Sequence, residues 1–325
     1  MKSAVVRRSH DSLDDDSPAE EALEQGTLAF GSAPKETAWK RAPRPRRPNY
    51  DNSRVLCFEV TSARSIPATE QTKRYVLYTL CVRQDSEIKD PHPAEIERRY
   101  THFRTLYLGL KRLFPDMLNS ISFPKKVLLG NFGADLISYR SAGFESLLDR
   151  ITMESRLREA KPVLEFLLGS PDLRIASRSS IQKQHGKIDN SAIVAQLENQ
   201  FRLLNKVYMD RSRPVLAALL SLVEGTCIAN TGNGQVQGGG QGGIHPHAEY
   251  WAELALKRFE GVSDSDLLAG YIPLLKCCTH LWWQKGRDKS ALEQRLKDMS
   301  QKGIQIDGGL TLTQVIEKID LNSMT

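Results

Sequence analysis

Between Glu97 and Met117 the chain reads ERRYTHFRTLYLGLKRLFPDM, and its character changes partway through. Up to Tyr100 the residues suit a strand. Beyond it Phe103, Leu106, Leu110 and Leu113 recur at helical spacing. Thr101 sits at the join, where a hydroxyl can cap the first helical N–H groups. A strand end beside a helix start is a place where a small domain can converge positive groups on one point. Two adjacent arginines, Arg98 and Arg99, stand there. The competing reading makes both of them solvated edge charges.

Working outward, the 325 residues leave room for two modest domains plus tails. A hydrophobic content of 40% supports real cores diluted by disordered segments. The longest apolar stretch, around Pro214 to Val223, is too short and too interrupted to span a bilayer. MKSAVVRRSHDSLDDD lacks the apolar run of a signal peptide and turns acidic. Five cysteines, two of them adjacent (Cys277 and Cys278), make no disulfide framework and fit a reduced cytosolic protein. A net charge of +6 and a pI near 9.0 leave open an anionic partner, either nucleic acid or a membrane surface.

Residues 1–50 read as a disordered extension. An acidic block from Asp11 to Glu24 precedes a basic, proline-broken one, KRAPRPRRPNY, and neither can bury enough apolar surface to fold alone. VLCFEV, RYVLYTLCV and EIERRY are then three β-rich runs, the first two separated by a turn-like SARSIPATEQTK. Helices are predicted from Thr101 to about Pro115, from Ala134 to Ile151 and from Arg156 to Leu168. Three strands followed by helices on one face make an α+β unit over residues 51–173. A polar linker is expected over residues 174–187. Residues 188–325 read as six helices in three stacked hairpins, resembling tetratricopeptide repeats without a clean period. They are interrupted by a glycine-rich loop over residues 230–245, which lacks the Gly-Lys-Ser/Thr of a nucleotide-binding loop.

Downstream of the arginines, SFPKKVLLGNF sets Lys125 and Lys126 beside an apolar trio, Val127, Leu128 and Leu129. In ADLISYRSAGFESLLDRI, Arg140 falls on or beside the apolar stripe of Ile137 and Phe144 rather than opposite it. A guanidinium there wants an anion, because burying an unpaired charge is costly. Arg99, Lys126 and Arg140 come from three elements and could line one pocket for phosphate oxygens or vicinal hydroxyls, with a tyrosine face under a ring. Against this stand local pairings, Arg99 with Glu97 or Glu95 and Arg140 with Asp135 or Glu145. Lys126 could be a solvated loop charge, Tyr100 core, and the leucines packed back onto the domain.

RRYTHF, the loop FPKK with its following VLLG, and the helix arginine in YRSAGFESLL resemble the PX (phox homology) domain of the sorting nexins. The resemblance covers roughly residues 52 to 173, and three motifs in the right order make it specific. The helical continuation resembles a subgroup that pairs a PX domain with a tetratricopeptide-like PX-associated domain. The resemblance implies binding of phosphatidylinositol 3-phosphate, with bisphosphates as an alternative favoured by Arg98 and Lys125. It would give Arg99 the 3-phosphate, Tyr100 the inositol ring face, Lys126 the 1-phosphate and Arg140 the ring hydroxyls. Val127, Leu128 and Leu129 would enter the membrane. His102 stands where many relatives carry aspartate and is expected to lie off the pocket.

The expectation is therefore a cytoplasmic, peripheral membrane adaptor on the cytosolic face of early endosomes, holding a protein partner or cargo tail on its helical half. The alternative is a cytosolic scaffold whose PX fold binds a bisphosphate or no lipid. Nucleic-acid binding through KRAPRPRR lacks motif support. No nucleophile elbow, kinase set or HExxH appears, so no enzyme is expected. His245, His247, Cys277, Cys278 and His280 lack CxxC spacing, so neither metal nor cofactor is expected.

Overall fold

The computed structural model describes residues 27–29, 55–70, 72–85, 90–127, 131–169, 174–185, 189–228, 245–306, 308–319 and 321. Leu128, Leu129 and nearly all of the glycine-rich loop lie outside them.

The three expected strands form one antiparallel sheet: β2 (Val55–Ile66), β3 (Tyr75–Asp85) and β4 (Ala94–Arg99). A short strand from the N-terminal extension, β1 (Thr27–Ala29), pairs with β2 on the outer edge, giving the order β1-β2-β3-β4. β2 runs farther than its composition suggests, through TSARSI, because it stays paired to the start of β3 beyond an irregularity between Val60 and Ser62. The Ser62 hydroxyl donates to that of Thr79 across the pair at 2.9 Å. On β3, Val76, Tyr78, Leu80 and Val82 alternate onto the buried face, the period of two that one covered face requires.

Helix α1 (Tyr100–Leu113) follows β4 without a loop, buries Phe103, Leu106 and Leu110, and leaves Leu113 half exposed. Its cap residue is Arg99 with extended backbone and no side-chain cap, so the expected role of Thr101 is not taken up. After α2 (Pro115–Leu118) comes α3 (Ala134–Met153). The expected third helix is two, α4 (Ser155–Arg158) and α5 (Lys161–Leu168), broken at Ala160, whose extended backbone caps α5 with Pro162 in its first turn. Phe103 of α1 and Phe144 of α3 stack at 3.8 Å, with Tyr78 of the sheet edge-on to Phe144 at 5.1 Å. Aromatic pairs of this kind contribute about 0.5–1.5 kcal/mol beyond area burial.

The stretch read as a polar linker instead holds a helix, α6 (Arg178–His185), docked through Ile181. Ser177 and Ser180 hold its first turn by reciprocal bonds, the Ser180 N–H donating to the Ser177 hydroxyl and the Ser177 N–H to that of Ser180. Beyond it lie α7 (Asn190–Val207), α8 (Arg213–Ile228), α9 (Ala248–Phe259), α10 (Ser265–Leu268), α11 (Tyr271–Gln284), α12 (Ser290–Gln301) and α13 (Leu312–Lys318). α8 is apolar on every side and correspondingly central: Val215 to Leu220, Leu222 and Val223 are fully buried. α7, α9, α11 and α13 all touch it. Solenoid repeats meet only their sequence neighbours. Here the last helix folds back onto α8 instead, tied by the Thr313 hydroxyl donating to Glu224 at 2.9 Å.

α7 also lies along the free edge of β4. The Glu95 N–H donates to the Asn199 side-chain oxygen at 2.9 Å, and the Asn199 amide donates back to the Glu95 carbonyl at 2.7 Å. Lys206 pairs with Asp90, both nearly buried. The apolar core runs without a break from the sheet into the helices.

Candidate functional site

The two arginines at the strand end go to opposite sides, as strand alternation demands. Arg98 is spent on structure. Its Nε donates to the Phe166 carbonyl at 2.7 Å, Nη2 to the Leu167 carbonyl at 2.9 Å and Nη1 to the Glu97 carbonyl at 2.7 Å. It thus caps the C-terminal end of α5, where unpaired carbonyls favour a cation. Burial pulls its pKa down to about 10. The expectation that Arg98 lends charge to a bisphosphate is corrected by this geometry.

Arg99 is exposed. Its guanidinium lies 5.7 Å from the centre of the Tyr75 ring, and its Nε donates to His102 Nε2 at 3.2 Å. Neither expected carboxylate holds it: Glu97 is gripped by Arg64 in three bonds of 3.1, 3.0 and 2.9 Å, and no ion pair joins Arg99 to any described residue. His102 therefore belongs to the site, contrary to the expectation that it lies off the pocket. One turn of helix brings residue 102 under residue 99. Burial, then the charges of Arg99 and Arg98, push its pKa down to about 4, so it meets Arg99 as a neutral acceptor.

Tyr100 and Arg140 meet face to face. The Arg140 guanidinium carbon lies 4.4 Å above the Tyr100 ring, and the residue is only 3% exposed. Its Nη2 donates to the Asn131 side-chain oxygen at 2.9 Å, while its Nε is buried with no hydrogen-bond partner among the described residues. No described carboxylate pairs with it, and Glu145 instead accepts from the Val60 N–H at 2.9 Å. A buried cation without a counter-charge is costly unless an anion or water completes it.

The Tyr100 hydroxyl donates to the Pro124 carbonyl at 2.9 Å, tying the ring to the FPKK loop. Pro124 is buried against α3 at Gly143, where an added Cβ would stand 2.4 Å from the proline ring. Only glycine admits so close an approach. Lys125 and Lys126 follow as exposed side chains, and Val127 is half-buried. Leu128 and Leu129, the rest of the expected insertion loop, lie outside the described residues. Tyr100 and Arg140 are thus in direct contact and Lys126 is in the adjoining loop. No hydrogen bond or ion pair among the described residues joins Arg99 or Lys126 to that pair. Sequence reasoning missed Tyr75, Asn131 and His102, which position the cations. Only His102 carried a signal, its three-residue offset from Arg99.

Of the imagined zinc constellation, His245 and His247 stand side by side at 5.5 Å, while the cysteines and His280 lie on α11 and do not join them. Cys278 is buried in α11, Cys277 lies against Cys227 of α8, and His280 stacks on Trp283 at 5.6 Å. The adjacent tryptophans split as well, Trp282 into the core and Trp283 62% exposed. No helix among the described residues is long and apolar enough to cross a membrane.

The PX domain family matches residues 86–170. Sorting nexin-21 of Mus musculus is 40% identical over 121 residues, which cover 37% of this chain and 32% of that protein. Sorting nexin-21 of Homo sapiens is 30% identical over 268 residues, covering 82% of this chain and 64% of that protein. Sorting nexin-20 of Rattus norvegicus is 27% identical over 263 residues, covering 80% and 75%. The chain thus spans from about a third to just under two thirds of the two sorting nexin-21 relatives. The motif at the strand end, the proline loop and the helix arginine lie within the matched segment, and the similarity continues into the helices: the chain is a PX-domain member of the sorting nexin family, close to sorting nexin-20 and sorting nexin-21.

Proposed function

We propose that this protein is a peripheral membrane adaptor in endosomal trafficking whose PX unit binds phosphatidylinositol 3-phosphate. The observation that carries the reading is Arg140, buried to 3% exposure on the Tyr100 face with no carboxylate partner among the described residues. Such a group suits a polyhydroxylated, phosphorylated ring that supplies the missing acceptors. Arg99, paired to no carboxylate among the described residues, takes the 3-phosphate. Tyr100 lies under the ring, Lys126 meets the 1-phosphate, and Arg140 meets the ring hydroxyls. Val127, Leu128 and Leu129 enter the bilayer beside them. Headgroup contacts, shallow insertion and general attraction to anionic lipid, at about 1 kcal/mol per basic residue, act together as one multivalent contact.

The helical half offers a partner surface at Trp283. There Lys276, Thr279, His280, Trp283, Lys289 and Leu296 line a hollow of about 350 Å³, suited to a segment of a cargo tail or adaptor that can cover the exposed indole. With Arg98 committed to α5, the alternative of a bisphosphate site loses one of its two favouring cations.

The test is sedimentation of the full chain with liposomes carrying each phosphoinositide in turn. Binding selective for the 3-phosphate, and lost in Arg140→Gln with the fold intact, supports the reading. Preference for a bisphosphate, or indifference to all of them, would leave a scaffold instead.

A further inference from the structure

Away from that site, three donor side chains converge at the start of α9. Glu198 comes from the middle of α7, and His245 and His247 stand just before α9 in the sequence HPH. One ligand atom from each lies within 4.8 Å of the other two. Glu198 is 8% exposed, rare for a carboxylate, and its two oxygens are divided. Oε2 accepts from Arg202 at 2.9 Å. Oε1 accepts from Trp251 Nε1 at 3.2 Å and faces His247 Nδ1 at 3.4 Å. The two imidazoles stand 5.5 Å apart, nearly perpendicular, and the His247 N–H donates to His245 Nδ1 at 3.3 Å.

We propose that Glu198, His245 and His247 form a zinc-binding site. Zinc takes nitrogen and oxygen ligands at about 2.0–2.2 Å, which sets tetrahedral ligand–ligand edges of roughly 3.3–3.6 Å. The Glu198–His247 separation of 3.4 Å already has that length. His245 completes a third corner by turning its ring out of the long bond from the His247 N–H, and water takes the fourth. Two imidazoles and one carboxylate suit zinc rather than calcium or magnesium, which prefer oxygen alone. Arg202 and Trp251 hold the carboxylate in place, the outer-shell support that orients a metal ligand. The positive end of α9 and Arg202 oppose a cation, and the carboxylate offsets them. In sequence the histidines stand directly after the glycine-rich stretch. A metal there would fasten the start of α9 to α7.

The competing account is a clamp of hydrogen bonds alone, and zinc titration of the full-length protein separates the two. Isothermal titration with zinc chloride should show one saturable site. Cobalt in place of zinc should give visible bands without the near-ultraviolet charge transfer of a thiolate, which excludes the five cysteines. His245→Ala with His247→Ala, and separately His247→Asn, should each weaken binding at least tenfold. The His247 side chain is 62% exposed, makes no cap hydrogen bond, and Asn is a favoured residue at a helix start, so the single variant guards against a folding artefact. Absence of a saturable site, thiolate bands in the cobalt spectrum, or undiminished binding by the folded His247→Asn protein would each overturn the proposal.

Discussion

Two arginines adjacent in sequence should fail in opposite ways. Consider Arg98→Met, which keeps the apolar stem and removes the guanidinium. Three hydrogen bonds from a charged donor disappear, at 2.7, 2.9 and 2.7 Å. Each is worth about 1.5–3 kcal/mol, so the gross loss is about 4.5–9 kcal/mol. Against it stands the cost of having buried the cation. The drop in pKa from 12.5 to about 10, at 1.36 kcal/mol per unit, puts that cost at about 3 kcal/mol. Water reaches the freed carbonyl of Glu97 and recovers part of the remainder. The net expectation is a loss of about 2–4 kcal/mol, or about 5–15 °C in Tm. At temperatures where the variant is folded, lipid binding should survive. Arg99→Gln should do the reverse: an exposed substitution within about 0.5 kcal/mol of wild type that abolishes phosphoinositide-dependent sedimentation. Differential scanning calorimetry and liposome sedimentation on both variants decide the matter. Wild-type Tm in Arg98→Met, or wild-type sedimentation in Arg99→Gln, would refute the division.

Three further outcomes are expected. His102 is neutral when folded, with a pKa of about 4 against 6.5 unfolded, so the unfolded chain binds more protons between those values. Its contribution to stability is therefore complete above pH 6.5 and lost as pH falls toward 4. His102→Gln should flatten that part of a urea-midpoint profile, and an unchanged slope would contradict the assignment. Gly143→Ala places a Cβ 2.4 Å from Pro124, so it should shift the FPKK loop, cost about 1–3 kcal/mol and weaken lipid binding, while an unperturbed protein would show that the loop yields freely. Leu128→Ser with Leu129→Ser should weaken binding to bilayers but not to a soluble inositol headgroup, because burial at about 0.8 kcal/mol per CH₂ needs acyl chains. Equal loss in both assays would make these leucines core.

What could be read from the chain alone was what repeats locally. Alternation in EIERR and the helical spacing after Tyr100 placed the strand–helix junction, and the position of Arg140 beside Ile137 and Phe144 foretold its burial. What could not be read depends on distant partners. The fate of Arg98 is set by carbonyls at Phe166 and Leu167, on a helix whose approach no local pattern announces. α6 was missed because Ile181 is its only buried apolar residue, although its serine-rich start was visible. Glu198 and the two histidines are nearly fifty residues apart and converge because α7 and α9 both pack on α8.

The fastening of β4 has one more consequence. A sheet edge with free N–H and C=O groups invites other chains to add a strand. Here Asn199 occupies both backbone groups of Glu95, the Arg98 guanidinium occupies the Glu97 carbonyl, and β1 lines the opposite margin. The occupied groups of β4 leave strand addition little to template on along that margin. Along β4 a binding partner is directed instead to side-chain surfaces, and exchange of β1 for a foreign segment offers a route by which the other margin could recruit another chain.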